Sequence, residues 1–480
     1  MGEIAKKKDR EVLYAVIYVA IVAVFFVLPA PAPITTAGMR LLGVFIATVF
    51  GWSASSRAWP SLFCFVAFLF TGVTDLTGLL AASWGADVFI FAILMFVVMD
   101  YLRKSGFSTF LSAWMMTRKV LSGHPYRLIA MLMIIAWVLS TFCGPIPGMF
   151  ITWGFIYQIC ELVGYKRLGK EATAMIFGVG VMGALSLSTM PFLNNALVIL
   201  AAFTKSTGIE INLVNYLLCS IPTDILCIAG YLLMCKFVFR IDVSALQDLD
   251  MDFIPKEDLE FTTSVKFAFA FLIILIAMLV LPSLMPKTFF LTQWLNAIGY
   301  TGKCFLLMGD WSLLNVNGEK VMRVSKLATD GINWNMAFMM IGIFAFIAFL
   351  GVSDTGISAF LGQVLGPVFG GLSPVLFLFL GLVITVVLSN FLANMVVAVI
   401  MMTATFPLAA QMGLDFTQLA YLYTIGATVA FCLPAASPPG MLMFANKEWL
   451  NAGLIYKYSL PTIVMMTIVV FIWNLVMFMF

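Results

Sequence analysis

Four interruptions in apolar sequence carry the residues whose types and spacing suit ion binding. Ile129–Phe142 runs into Gly144, Pro145 and Ile146. Ala172–Ala184 runs into a polar stretch that includes Thr189, Asn194 and Asn195. Val375–Leu388 meets Ser389, Asn390, Ala393, Asn394 and Met395. Tyr421–Cys432 meets Pro434, Ala436, Ser437, Pro438 and Pro439. Proline removes a backbone donor and glycine loosens the chain. In lipid, a helix broken this way leaves N–H and C=O groups free, tolerated only inside protein or along a wet cavity. Free N–H groups at a half-helix start suit an anion. Free carbonyls at a half-helix end suit sodium, which wants oxygen ligands. The neighbouring Asn, Ser and Thr add oxygens without a buried charge. One proline break is more simply a kink. Four, two in each half of the chain, point to a central site.

The elements that position these breaks must be transmembrane helices. The chain has 480 residues, 62% of them hydrophobic and only 10% charged, with a mean hydropathy of +1.07. A soluble domain carries about 25% charge, so the bilayer is the solvent. Val12–Leu28, Phe267–Leu281 and Ile463–Phe480 approach the ~20 residues that span it. The first is read as a retained helix, because its end at Leu28-Pro29-Ala30-Pro31 lacks a small-residue cleavage site. Lys6, Lys7 and Lys8 place the N-terminus in the cytoplasm, and a bacterial cytoplasmic (plasma) membrane is expected.

An internal repeat sets the organisation. Ser105-Gly106-Phe107-Ser108-Thr109-Phe110-Leu111 recurs as Thr355-Gly356-Ile357-Ser358-Ala359-Phe360-Leu361, and Trp84 recurs as Trp334 at the same offset. Ser220-Ile221-Pro222-Thr223 recurs as Ser459-Leu460-Pro461-Thr462. Repeats in so apolar a chain point to a transporter built from two related halves. The boundaries expected are a basic tail and first helix over 1–35, a first repeat over 36–240, an acidic linker over 241–264 and a second repeat over 265–480. Ser105–Thr117 and Thr355–Leu365 are short and mixed, as helices along the interface are. Asp242–Glu260 carries seven acids and reads as a solvated linker.

Composition also excludes classes. No basic stripe with interleaved aromatics occurs, so nucleic acid is not a partner. The one histidine, His124, sits before Pro125 in a polar turn, and the eight cysteines, with no Cys-x-x-Cys, read as packing residues. Neither pattern fits a zinc site. No nucleophile–base pair appears, so an enzyme is disfavoured and no cofactor is expected.

At Phe431–Pro439, Ser389–Met395 and Gly144–Ile146 the chain resembles the divalent anion/sodium symporter family, within the wider ion transporter superfamily. In that family each half carries a hairpin tipped by Ser-Asn-Thr and a later unwound stretch reading Thr-Pro-Pro. Here Ser437-Pro438-Pro439 is similar to the second unwound stretch, and Asn394 aligns with the tip asparagine, with Ala393 and Met395 replacing serine and threonine. Gly144-Pro145-Ile146 falls at the first tip and Thr189–Asn194 at the first unwound stretch. The resemblance implies an all-α polytopic membrane protein of about 11 transmembrane helices plus two re-entrant hairpins in two inverted repeats. It also implies a scaffold domain mediating a homodimer, and a transport domain that moves as an elevator among the lipids.

By the same resemblance, substrate contacts fall on Gly144, Pro145, Ile146, Thr189, Asn194, Asn195, Ala393, Asn394, Met395, Ser437 and Pro438. Sodium contacts fall on Ser389, Asn394, Ala436 and Ser140. Pro145 offers no amide and Gly144 no hydroxyl, so the first-half cation site is expected to be damaged, leaving sodium as a candidate coupling ion at one site. Ile146 and Met395 make the pocket more apolar. The expectation is a secondary active transporter of an organic anion. A sodium-independent exchanger, uniporter or channel on the same scaffold is the alternative, and an intramembrane enzyme a distant one. Asp87, Asp100, Asp224, Asp330 and Asp354 read as interfacial charges at segment ends, and Glu161 as the exception.

Overall fold

Helices make up most of the described residues, many of them long and apolar. The computed structural model describes residues 2–55, 58–247, 249, 254–286, 288–316, 318–350, 353–357, 359–360, 363, 367, 369, 371–434 and 436–479. Outside these lie Asp248, Asp250 and Asp252 of the acidic linker, Ala435, and Ser358, Leu361, Gly362, Val364 and Leu365 of the second interfacial segment. Among the described residues nine helices are long and apolar enough to cross a membrane, or eleven if two bent pairs each count as one span. The protein is thus an all-α polytopic membrane protein, with one small addition: Asn315–Val316 pairs antiparallel with Glu319–Lys320.

The bent pairs are the repeat made visible. Trp84 lies in the break between Leu76–Ala82 and Asp87–Lys104, and Trp334 opens the helix that follows Val324–Gly331. Gly106 and Gly356, the repeated glycines, both have positive φ, +83° and +67°. A side chain is strained there, which is why glycine recurs in both copies. Pro222 and Pro461 each lie inside a helix, Leu213–Phe237 and Ala452–Met479. The threonine after each returns its hydroxyl to the carbonyl four residues back, at 2.7 Å in both.

The chain forms two compact units, each drawing on both halves of the sequence. The first comprises Met1–Ile90, Val198–Ile211 and Asn333–Tyr423. Its core joins Leu41, Val44, Cys64, Phe68, Leu79, Phe346 and Ile357, with Phe45 edge-on to Phe346 at 5.0 Å. It holds the second hairpin, Pro374–Ser389 and Asn394–Gln411. The second unit comprises Phe91–Leu197, Asn212–Ile332 and Thr424–Phe480. Its axis is the helix Lys170–Thr189, buried without a gap from Ala172 to Thr189. A helix apolar on every side belongs in a core. Close neighbours use its glycines: a Cβ on Gly180 would lie 2.3 Å from the Met443 sulfur, and one on Gly183 2.7 Å from that of Met149.

The linker is less solvated than its acids imply. Ile241, Leu246 and Ile254 are buried and pin it to the second unit, while Asp242, Glu257 and Glu260 face outward.

Candidate functional site

The first hairpin consists of Pro125–Cys143 and Pro145–Val163, separated by Gly144 alone. Gly144 has φ 93° and ψ 153°, a conformation only glycine adopts readily. Pro145 then opens the returning helix without a side-chain cap; Pro145 and Pro147 carry no N–H and Gly148 N donates to Gly144 O at 3.2 Å, so in this first turn the Ile146 amide alone lacks an intrahelical acceptor. The arms touch immediately behind the tip, where a Cβ on Gly148 would lie 2.4 Å from the Ser140 hydroxyl. Gly144 is buried, Pro145 half-buried, and Ile146 exposed at 44%.

The first unwound stretch lies against this hairpin. Lys170–Thr189 ends, and Asn194–Thr207 begins with Asn194 at φ 49°. The Asn194 amide donates to the Thr141 carbonyl at 3.3 Å, tying the break to the first tip. Asn195 is buried at 4% exposure. The carbonyls that end the first half-helix do not stay free. Tyr216 donates to Ser188 O at 2.6 Å and Ser220 to Thr189 O at 2.7 Å. Hydroxyls from Leu213–Phe237 therefore satisfy carbonyls that such a terminus leaves without an intrahelical donor.

The second unwound stretch packs into the same unit. Pro438–Ala445 starts at Ser437, whose hydroxyl donates to Ala430 O at 2.5 Å and accepts from Gly440 N at 3.2 Å. That is an N-cap that also closes the loop before it. Thr428 and Ser188 share a hydroxyl contact of 2.9 Å, joining the two unwound stretches. Ala436 is buried and Pro438 exposed. One unit thus gathers Ser140, Gly144, Pro145, Ile146, Thr189, Asn194, Asn195, Ala436, Ser437 and Pro438.

The second tip belongs to the first unit. Pro374–Ser389 ends, four residues intervene, and Asn394–Gln411 begins at Ala393 with no side-chain cap. Asn390 returns its amide to Val386 O at 2.8 Å. Met395 is buried at 3% and Ala393 half-buried.

Three of the four expected sodium ligands offer unused oxygens. Ser140 Oγ, Ser389 Oγ and Asn394 Oδ1 are buried, with no hydrogen-bond partner among the described residues. Leaving such groups unsatisfied costs about 1–3 kcal/mol each. Ser389 and Asn394 flank one tip and fit a hard cation as neutral oxygen donors.

Two charged residues differ from expectation. Glu161 is exposed, near Arg167 at 3.5 Å, because it lies at the solvated end of the first hairpin. Asp224 is not at a segment end: it sits in the middle of Leu213–Phe237, 1% exposed. Its Oδ2 accepts from Trp137 Nε1 at 2.9 Å and from Thr189 Oγ1 at 2.7 Å. The indole also reaches Thr189 Oγ1, at 2.8 Å. Trp137, Thr189 and Asp224 therefore lock the first hairpin, the first break and the proline-containing helix together. The signal was available in the repeat, for the matched stretch stops one residue on, where Asp224 stands against Ile463.

With hairpins and broken helices in place, the fold and the sequence define a membrane transporter. A model of the citrate transporter family matches residues 45–426, and the chain belongs to that family. Among curated relatives, a sodium-dependent low-affinity dicarboxylate transporter of Caenorhabditis elegans is 30% identical over 119 residues, 24% of this chain and 20% of that protein. An uncharacterized transporter of Methanocaldococcus jannaschii is 27% identical over 108 residues, 22% of this chain and 24% of that one. The chain spans about a fifth to a quarter of the length of these relatives. The crystal structure of the Alcanivorax borkumensis YdaH transporter superposes with a TM-score of 0.55 at 15% identity, covering 97% of this chain and 96% of that one. The likeness in fold thus extends over nearly the whole chain.

Proposed function

We propose that the protein is a secondary active transporter of carboxylate-type organic anions in the plasma membrane. The observation that carries this reading is the convergence in one unit of a hairpin tip and two unwound stretches, each followed by a helix start. The start of Asn194–Thr207 and the Ile146 amide at the first tip present N–H groups to an anion without a buried positive side chain, whereas Pro438 and Pro439 have none to offer. Membership of the citrate transporter family supports a carboxylate. The coupling ion is sodium, held at the second tip by Ser389 and Asn394, whose unused oxygens support that role. The protein works as a homodimer with elevator-type movement, its N-terminus in the cytoplasm. Substrate contacts come from Gly144, Pro145, Ile146, Thr189, Asn194, Asn195, Ala393, Asn394, Met395, Ser437 and Pro438. Because Pro145 and Ile146 stand where an amide and a hydroxyl would meet a second carboxylate, an anion with one charged end and an apolar remainder is preferred.

The test is thermal unfolding of the purified protein with citrate, succinate and benzoate, with and without sodium. A ligand that binds the native state raises Tm by mass action. Stabilisation by at least one carboxylate, enhanced by sodium, is expected. No shift with any of them in either salt overturns the reading.

A further inference from the structure

A cavity with a basic lining lies away from the breaks. It has a volume of about 500 Å³ and opens beside the end of Asp87–Lys104, the start of Thr263–Leu284 and the small β-hairpin, all within the second unit. Its walls carry Lys104, Lys320, Arg323 and Lys326 against a single acid, Glu319. Lys104 is shared between Asp100 at 2.8 Å and Asp330 at 2.6 Å, and Arg323 lies 3.7 Å from Glu319. Lys320 and Lys326 take part in no ion pair among the described residues. Thr263 and Ser264, in the first turn of a 22-residue helix, line the same space with hydroxyls and with amides that lack intrahelical acceptors. An independent observation comes from Tyr101. It lines the cavity, is 5% exposed, and its hydroxyl is buried with no partner among the described residues. The nearby Trp311 indole already donates to Phe267 O at 3.3 Å.

Clustered cations, a helix start and an unsatisfied phenol suit a phosphate oxyanion. Position decides the source. Lys104 closes one span and Thr263 opens another, so the cavity lies at the membrane surface. Apolar side chains adjoin its lining in sequence and face outward: Phe261 at 46%, Leu314 at 39% and Leu313 at 78% exposure. A soluble phosphate has no use for them, whereas acyl chains do. We propose that this cavity binds the phosphate headgroup of an anionic phospholipid, with Lys320 and Lys326 as its charge partners and Tyr101 as a hydrogen-bond donor.

The experiment is thermal unfolding in phosphatidylcholine nanodiscs with and without phosphatidylglycerol. Wild-type Tm is expected to rise by about 2–4 °C with the anionic lipid. The rise should vanish in Lys320→Gln with Lys326→Gln and shrink in Tyr101→Phe. It should persist in Lys119→Gln with Lys236→Gln, which removes two exposed cations elsewhere. Phosphatidylcholine alone provides the baseline for each variant, so a folding defect is read separately. No rise in the wild type overturns the site, as does an equal rise in the cavity variant or an equal loss in the control variant. An equal rise with millimolar inorganic phosphate in phosphatidylcholine overturns the lipid as its source.

Discussion

Replacing Asp224 tests the lock behind the first break. In Asp224→Ala two donors lose their acceptor, the Trp137 indole and the Thr189 hydroxyl, now at 2.9 and 2.7 Å. Each unsatisfied buried donor costs about 1–3 kcal/mol. Part of this is recovered, because Trp137 still donates to Thr189 Oγ1 at 2.8 Å and that hydroxyl turns toward Leu185 O at 3.5 Å. The net loss expected is therefore about 2–4 kcal/mol, including the small void left by the side chain. Asp224→Asn keeps an oxygen acceptor at the same place and costs about 1 kcal/mol, the order of one weakened hydrogen bond. Denaturant unfolding in detergent micelles measures both, and adding Thr189→Val closes a double-mutant cycle. A coupling of about 1–2 kcal/mol between positions 189 and 224 is expected from residues in direct contact. Additive effects, or an alanine variant as stable as the wild type, would refute the lock.

Other expectations concern transport. Asn394→Ala, at the second tip, abolishes uptake while the protein inserts and folds; wild-type uptake by well-expressed protein contradicts the assignment. Sodium activates uptake with a Hill coefficient near one, since the second tip offers Ser389 and Asn394 where the first has Gly144 and Pro145; a value clearly above one, with no substitute ion, argues for a second site. Ile146→Thr with Met395→Thr shifts competition toward dicarboxylates, because a second carboxylate facing apolar side chains costs several kcal/mol; unchanged ranking across a matched mono- and dicarboxylate series rejects the apolar-tip argument. Ser437→Ala removes the N-cap of Pro438–Ala445 and costs about 1 kcal/mol in the same unfolding assay.

Much of the fold was legible because the bilayer simplifies the code. Apolar length gives the spans, and proline or glycine inside them gives the breaks. Gly106 and Gly356 recur because both take positive φ. What the sequence concealed was partnership. Nothing in linear order says that Tyr216 and Ser220 satisfy the carbonyls of Ser188 and Thr189. Those bonds depend on how Leu213–Phe237 lies against the broken helix. Charge was misread for the same reason. Glu161 and Asp224 are both acids beside apolar runs, and only packing separates one that is solvated from one that is 1% exposed. Asp224 was readable in part, since it falls inside a helix of 25 residues and its repeat partner is Ile463. The division into two compact units, each from both halves, follows from long-range contacts that no local pattern encodes.

Accumulation against a gradient tests secondary active transport most directly. Purified protein is reconstituted in vesicles, an inward sodium gradient is imposed, and labelled citrate, succinate and benzoate are followed over time. The account predicts that at least one anion rises inside above its external concentration, that collapsing the sodium gradient stops the rise, and that Asn394→Ala removes it. Simple equilibration of every anion, or accumulation that Asn394→Ala leaves intact, would contradict it.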